Sequence, residues 1–278
     1  MIPGIIRMAY KRILLSLLLL FTMGVSSRAQ KTWEVGLGVG GAGYMGDLNP
    51  INPVKISGFS AGAYVKANID AYWGVGLHYQ YGKIRANDAN SKSEYFRSRN
   101  LSFYTPLNEI SLQLDFNFFD YFAGGGRKNF SPYLFAGVGG VFFSPRTKYQ
   151  GEEYKLNFYH TEGMNNSYKN YTLAIPYGVG MHFKVKENWG LFTQIGYRTT
   201  FSDYFDDVGG VYPGPDSWGA RDDVTPIREA LADRSREISM PGIGAEGTQR
   251  GNLRQRDTYM FINIGLSYTF SSSKCYIF

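Results

Sequence analysis

The residues of this chain with the most chemistry in them are three histidines, a run of aspartates and a single cysteine. A histidine beside a serine can activate the hydroxyl as a nucleophile, the arrangement a lipid hydrolase would use. His78 and His182 sit among alternating residues on the polar, inward phase, and His160 lies in a polar connection. Neither a His-Glu-x-x-His string nor a cysteine pair accompanies them. An inward histidine in a polar interior more often hydrogen-bonds its neighbours, so we assign no catalytic residue and read the chain as not an enzyme. Asp203, Asp206 and Asp207 offer oxygens that suit a divalent cation. Their spacing departs from an EF-hand loop, and the expected role is a solvated acidic loop. We assign no metal and no cofactor. Cys275 has no partner in its own chain. In an oxidising compartment such a cysteine either bridges to another molecule or remains a free thiol.

The elements that must hold these groups begin after an export signal. Arg7, Lys11 and Arg12 precede an apolar run from Ile13 to Met23, and Ser27-Arg28-Ala29 supplies small residues at the positions a signal peptidase reads. We expect residues 1–29 to be a signal peptide, cleaved after Ala29. The apolar run falls short of the roughly 18 residues of a membrane anchor. No cysteine stands near the cleavage point, so a lipidated N-terminus is not expected. Arg7, Lys11, Arg12 and Arg28 leave with the signal, so 29 − 4 = 25 basic residues face 23 acidic ones, a net charge of +2. That balance gives no reason to expect nucleic-acid binding.

Beyond Gln30 the chain is rich in glycine, tyrosine and phenylalanine, with 34, 22 and 20 of each. No stretch is long and apolar enough for a membrane helix. Eight segments instead alternate apolar with polar or small residues over the length a membrane strand needs. They run from Trp33 to about Tyr44, Gly58 to Ile69, Trp73 to about Gly82, Glu109 to Phe118, Pro132 to Phe143, Leu173 to Val185, Trp189 to Tyr197 and Met260 to Phe270. The fifth is apolar or glycine on both faces, which leaves its phase open. Glu109 and Asp115 must face the interior, because charge on the lipid face is costly. Inward glycines then make room for bulky neighbours in a narrow lumen. Trp33, Trp73, Tyr81, Phe118, Trp189 and Tyr268 stand near strand ends, where an aromatic girdle belongs.

Connection lengths sort in a telling way. Short turns fall at Asp70-Ala71-Tyr72, 120–131 and Lys186-Glu187-Asn188; long loops fall at 45–57, 85–106, 144–170 and 202–257. Short turns at one end and long loops at the other are the asymmetry of an outer-membrane barrel. The predicted fold is therefore all-β: an eight-stranded antiparallel transmembrane β-barrel over residues 30–270, with a tail at 271–278. Both termini are expected in the periplasm and the four long loops outside. Eight strands leave no aqueous channel, which argues against a diffusion porin. The last loop carries one helical pattern over 226–237, with Thr225 as N-cap and Pro226 as first residue. Its stripe of Ile227, Ala230 and Leu231 would cover a small core of the loop.

Two further segments carry a resemblance. Gly43-Tyr44-Met45-Gly46-Asp47-Leu48-Asn49-Pro50 ends the first strand, and Phe201-Ser202-Asp203-Tyr204-Phe205-Asp206-Asp207-Val208-Gly209-Gly210-Val211-Tyr212 follows the seventh. With the export signal and the strand layout, they resemble the PorG family, outer-membrane barrels of the type IX secretion system in Bacteroidetes. The resemblance implies a non-catalytic part that fixes a periplasmic ring, made of the lipoprotein PorK and its partner PorN, to the outer membrane. Its contacts would lie on the periplasmic side, where Arg127, Lys128 and Lys186 could meet an acidic surface or lipid headgroups. Cys275 could tether a partner by an intermolecular disulfide. The alternatives are a generic small barrel serving membrane integrity or adhesion and an outer-membrane lipid hydrolase.

Overall fold

The computed structural model describes residues 32–252 and 256–270. The expected signal peptide 1–29, the tail 271–278 and Cys275 lie outside the described residues. Ten strands form: β1 (Thr32–Met45), β2 (Ile56–Asn68), β3 (Trp73–Asn87), β4 (Ser102–Asn117), β5 (Phe130–Phe143), β6 (Arg146–Tyr149), β7 (Glu152–Lys155), β8 (Tyr171–Lys186), β9 (Trp189–Thr200) and β10 (Thr258–Phe270). Eight of them, all but β6 and β7, pair antiparallel with their neighbours, and β1 with β10 and β3 with β4 complete the ring. The sheet is a closed eight-stranded barrel, as the alternation predicts.

Alternation sets which atoms meet lipid. Leu37, Val39, Leu77, Leu112, Leu114, Val138, Val179, Ile195, Ile264 and Leu266 all point outward and are exposed. They form one apolar band, and only a closed barrel or a helix satisfies every backbone group in such a solvent. Below the band Trp33, Trp73, Phe118 and Trp189 are exposed as a girdle, with Trp189 and Tyr268 in edge contact at 5.1 Å. Leu112 sits mid-strand, between Leu77 and Val138 on the neighbouring strands. A lipid-facing arginine near the midplane costs about 2–4 kcal/mol. We expect Leu112→Arg to lower folding free energy in lipid by about that amount, read from urea unfolding in vesicles.

The interior is filled. Within the membrane band it is polar: Glu34, Lys66, Glu109, Asp115, Gln113, His182 and Arg198 are buried there. Glycines opposite large rings make this possible. A Cβ on Gly36 would stand 2.2 Å from the Tyr64 ring, one on Gly180 2.3 Å from Tyr133, and one on Gly196 2.4 Å from Phe135. The phase of β5 resolves with Leu134, Val138 and Phe142 outward and Tyr133, Phe135, Val141 and Phe143 inward.

Past the apolar band the inner wall changes character. Ala42, Tyr44, Ile84, Ala86, Phe103, Leu107, Val141 and Phe143 form an apolar core with Leu48, Leu156, Phe205, Val208 and Leu231 from the loops. Here β3 and β4 run further than expected, to Asn87 and from Ser102, and shorten the connection between them to 88–101. Lys83 and Arg85 occupy outward positions on this extension. Beyond lipid an outward position has no need to be apolar, so the apolar alternation stops before the strand does.

The loops carry their own structure: helices α1 (Glu94–Arg99), α2 (Leu156–Tyr159) and α3 (Thr225–Ala232), and the hairpin β6–β7. The hairpin turns through Gln150 and Gly151, both at positive φ (51° and 88°), the geometry of a primed two-residue turn. α3 falls where the 226–237 pattern places it and continues as a 3₁₀ turn, Arg234–Glu237. Its cap differs from the expectation. Thr225 is inside the helix, and Asp222 does the capping: its Oδ1 accepts from the amides of Val224 (3.1 Å) and Thr225 (2.8 Å). Leu231 is buried in the loop core, with Ile227 against it.

Candidate functional site

The two segments that carry the resemblance meet at the long-loop end and build a cap. Tyr44, at the end of β1, donates its hydroxyl to Asp206 and lies 3.5 Å from Asp257 Oδ1. Asn49 ties the first segment back on itself, its Nδ2 donating to the carbonyls of Tyr44 (2.5 Å) and Asn52 (2.8 Å). Thr105 on β4 donates to the Phe205 carbonyl at 2.6 Å, and the Phe205 ring stacks on Phe143 at 4.2 Å.

Two fully buried arginines lock the four loops together. Arg99 reaches both oxygens of Asp88 (2.6 and 2.9 Å) and donates to the carbonyls of Arg250 (2.6 Å) and Asp47 (3.2 Å). Arg250 donates to Glu162 (2.9 Å) and to the carbonyls of Asp207 (2.7 Å) and Ala232 (3.2 Å). Glu162 Oε1 also accepts the amides of Gly209 and Gly210. Neither arginine is legible in the sequence: Arg250 pairs with Glu162 across 88 residues and Arg99 with Asp88 across 11, neither pair within one helix or strand.

The aspartates behave differently from the solvated loop expected. Asp206 and Asp207 are buried at 2% and 1% exposure. Asp207 accepts hydrogen bonds from Thr161 and Tyr168 and lies near Arg250, and Asp206 holds Tyr44 and the Val208 amide (3.0 Å). Desolvation raises both carboxyls, Asp207 to about 6 and Asp206 well above the usual range. The loop core that covers them explains the burial; polar residues packed under a folded loop look the same in sequence as polar residues in water.

The histidines take interior structural positions. His78 stacks on Tyr64 at 5.1 Å, and His182 lies between Tyr133 (4.1 Å) and Tyr121 (5.0 Å). Each faces a serine across the ladder, Ser111 and Ser131. Both hydroxyls are engaged elsewhere: Ser111 donates to Glu109 at 3.0 Å and Ser131 to the Pro132 carbonyl at 2.8 Å. A Gly-x-Ser-x-Gly string does run from Gly58 to Gly62. A nucleophile elbow needs that serine on a sharp strand-to-helix turn. Ser60 instead sits within β2, fully buried, donating to Asn263 at 2.8 Å.

At the opposite end the short turns gather Arg127, Lys128 and Lys186, all exposed. Lys184 on β8 joins them, its ammonium 4.8 Å from the Phe122 ring of the 120–129 turn. The 120–129 turn is also plugged inward. Tyr121 and Ala123 are buried, and the Ala123 carbonyl accepts from Thr32 and Asn68.

A closed barrel with an apolar outer band, an aromatic girdle and a side-chain-filled interior defines a membrane-spanning β-barrel of the outer-membrane class. The described strands 32–270 place both of their chain ends at the short-turn end. The chain belongs to the family described as "Domain of unknown function (DUF6089)", whose model matches residues 11–220. No curated protein matches the sequence. Among solved structures, Neisserial surface protein A (NspA) is 11% identical with a TM-score of 0.43, over 86% of this chain and 97% of that one. A major outer membrane protein from Thermus thermophilus is 13% identical with a TM-score of 0.41, over 86% and 99%. Ail of Yersinia pestis is 10% identical with a TM-score of 0.39, over 86% and 99%.

Proposed function

We propose that the protein is a non-catalytic outer-membrane component of the type IX secretion system that fixes the periplasmic PorK/PorN ring to the membrane. The observation that carries this reading is the pair of segments 43–50 and 201–212. They resemble the PorG family in sequence and are built into one cap, so the resemblance covers a structural unit and not two isolated strings. With the termini periplasmic, the short-turn end faces the ring, and Arg127, Lys128, Lys184 and Lys186 offer it a basic surface. Rim charges of this kind act mainly on encounter and orientation. Cys275, outside the described residues, would add a covalent tether if the tail emerges on this side.

The test is co-purification from detergent-extracted membranes, run without reductant so that a bridge through Cys275 is kept. PorK and PorN should come down with the wild type. The triple reversal Arg127→Glu, Lys128→Glu, Lys186→Glu should cut their recovery at least tenfold while the barrel keeps its heat-modifiable gel shift. Cargo export should fail when the gene is deleted. Normal export in the deletion strain would leave a generic membrane-integrity or adhesion barrel in place of this reading.

A further inference from the structure

The cap brings together carboxylates that its arginines do not reach. Asp47, Asp203 and Asp257 come from the first loop and from the two ends of the last loop, and each offers a carboxylate oxygen within 4.8 Å of the others. Asp206 stands beside them through Tyr44. Among the described residues, none of these four side chains has a lysine or arginine nitrogen in ion-pair range; Arg99 pairs with Asp88, and Arg250 with Glu162 and Asp207.

A second observation points to a ligand. Asp47 is 1% exposed, its Oδ1 accepts the Asn252 amide, and its Oδ2 is buried with no hydrogen-bond partner among the described residues. An unsatisfied carboxylate oxygen buried among other carboxylates is one of the costliest arrangements a fold can hold.

We propose that Asp47, Asp203 and Asp257, with Asp206 alongside, bind a divalent cation of the calcium class that clamps the first loop to both roots of the last. Calcium takes six to eight oxygens at about 2.3–2.6 Å, so two of its ligands can stand up to about 5 Å apart. Magnesium, at about 2.0–2.1 Å, holds its oxygens closer together and keeps several waters. A donor set made only of carboxylate oxygens, drawn from separate loop segments, suits calcium's flexible, oxygen-rich coordination. Waters and Asp206 supply the remaining positions, and the ion offsets the charge that the two arginines leave uncompensated.

The experiment uses the full mature chain refolded in detergent from lipopolysaccharide-free inclusion bodies. Terbium should bind saturably and luminesce on tyrosine excitation, with calcium displacing it. Millimolar calcium should slow protease cleavage within residues 202–257 at least tenfold relative to EDTA. Asp203→Asn, at the least buried of the three positions, should abolish that difference. In EDTA it should be cut no faster than the wild type, because it removes a repelling charge; a purely structural carboxylate would instead lose protection in both conditions. Equal cleavage of the wild type in calcium and EDTA, or undiminished calcium protection in Asp203→Asn, overturns the proposal. The wild-type measurements stand even where a variant does not refold.

Discussion

Lys66→Met should unfold the barrel at markedly lower urea, with a loss of about 3–5 kcal/mol, the usual consequence of breaking a buried ion pair by removing one partner. Lys66 is 2% exposed, and its ammonium lies 3.2 Å from Asp115 and 3.6 Å from Glu34. It also stands 3.4 Å from His182 Nε2. Methionine fills nearly the same volume, so the effect isolates charge. Its two carboxylate partners would remain in the lumen: Glu34, with Tyr64 (2.5 Å) and Asn68 (3.3 Å) still donating to it, and Asp115, whose other oxygen has no hydrogen-bond partner among the described residues. Adding Asp115→Asn to the variant should recover part of the loss. Equal stability of Lys66→Met and wild type in vesicle unfolding would show that the lumen is wetter than this packing implies.

Arg99→Met should act elsewhere. Its guanidinium is fully buried and holds three loops: Asp88 in the second, the Asp47 carbonyl in the first and the Arg250 carbonyl in the last. Removing it leaves Asp88 buried with the Leu101 amide (3.1 Å) as its remaining side-chain contact. The penalty, again about 3–5 kcal/mol, falls on the cap. The transmembrane ring has its own continuous ladder and its own polar interior. The expected result is therefore a barrel that still shifts on a heat-modifiability gel while its loops are rapidly cut by protease. Loss of both together would mean that cap and ring unfold as one unit.

The barrel was legible because lipid imposes a simple rule on every second residue. Where that rule applies, from Trp73 to Tyr79 or from Ile110 to Leu114, alternation alone assigns the faces. It fails in two places for different reasons. In β5 the inward Tyr133 and Phe135 fill the lumen beside glycines, so both faces carry apolar residues. In β3 the alternation ends at Tyr81 although pairing continues to Asn87, because there the interior turns apolar and the exterior meets water. The cap was visible only as two unusual segments. Its working contacts join Arg99 to residue 250, Tyr44 to Asp206 and Glu162 to Arg250, and such distances leave no periodic signal. Asp257 gave no sign at all, since a lone aspartate before a strand is ordinary.

The inversion of the inner wall, polar inside the bilayer and apolar above it, bears on biogenesis. The apolar half draws Leu48, Leu156, Phe205 and Leu231 from separate segments of the chain. For a polypeptide that enters from the side of its termini, those segments have to cross before any of them can meet, and the cap would then condense at the far surface as a closing event of insertion.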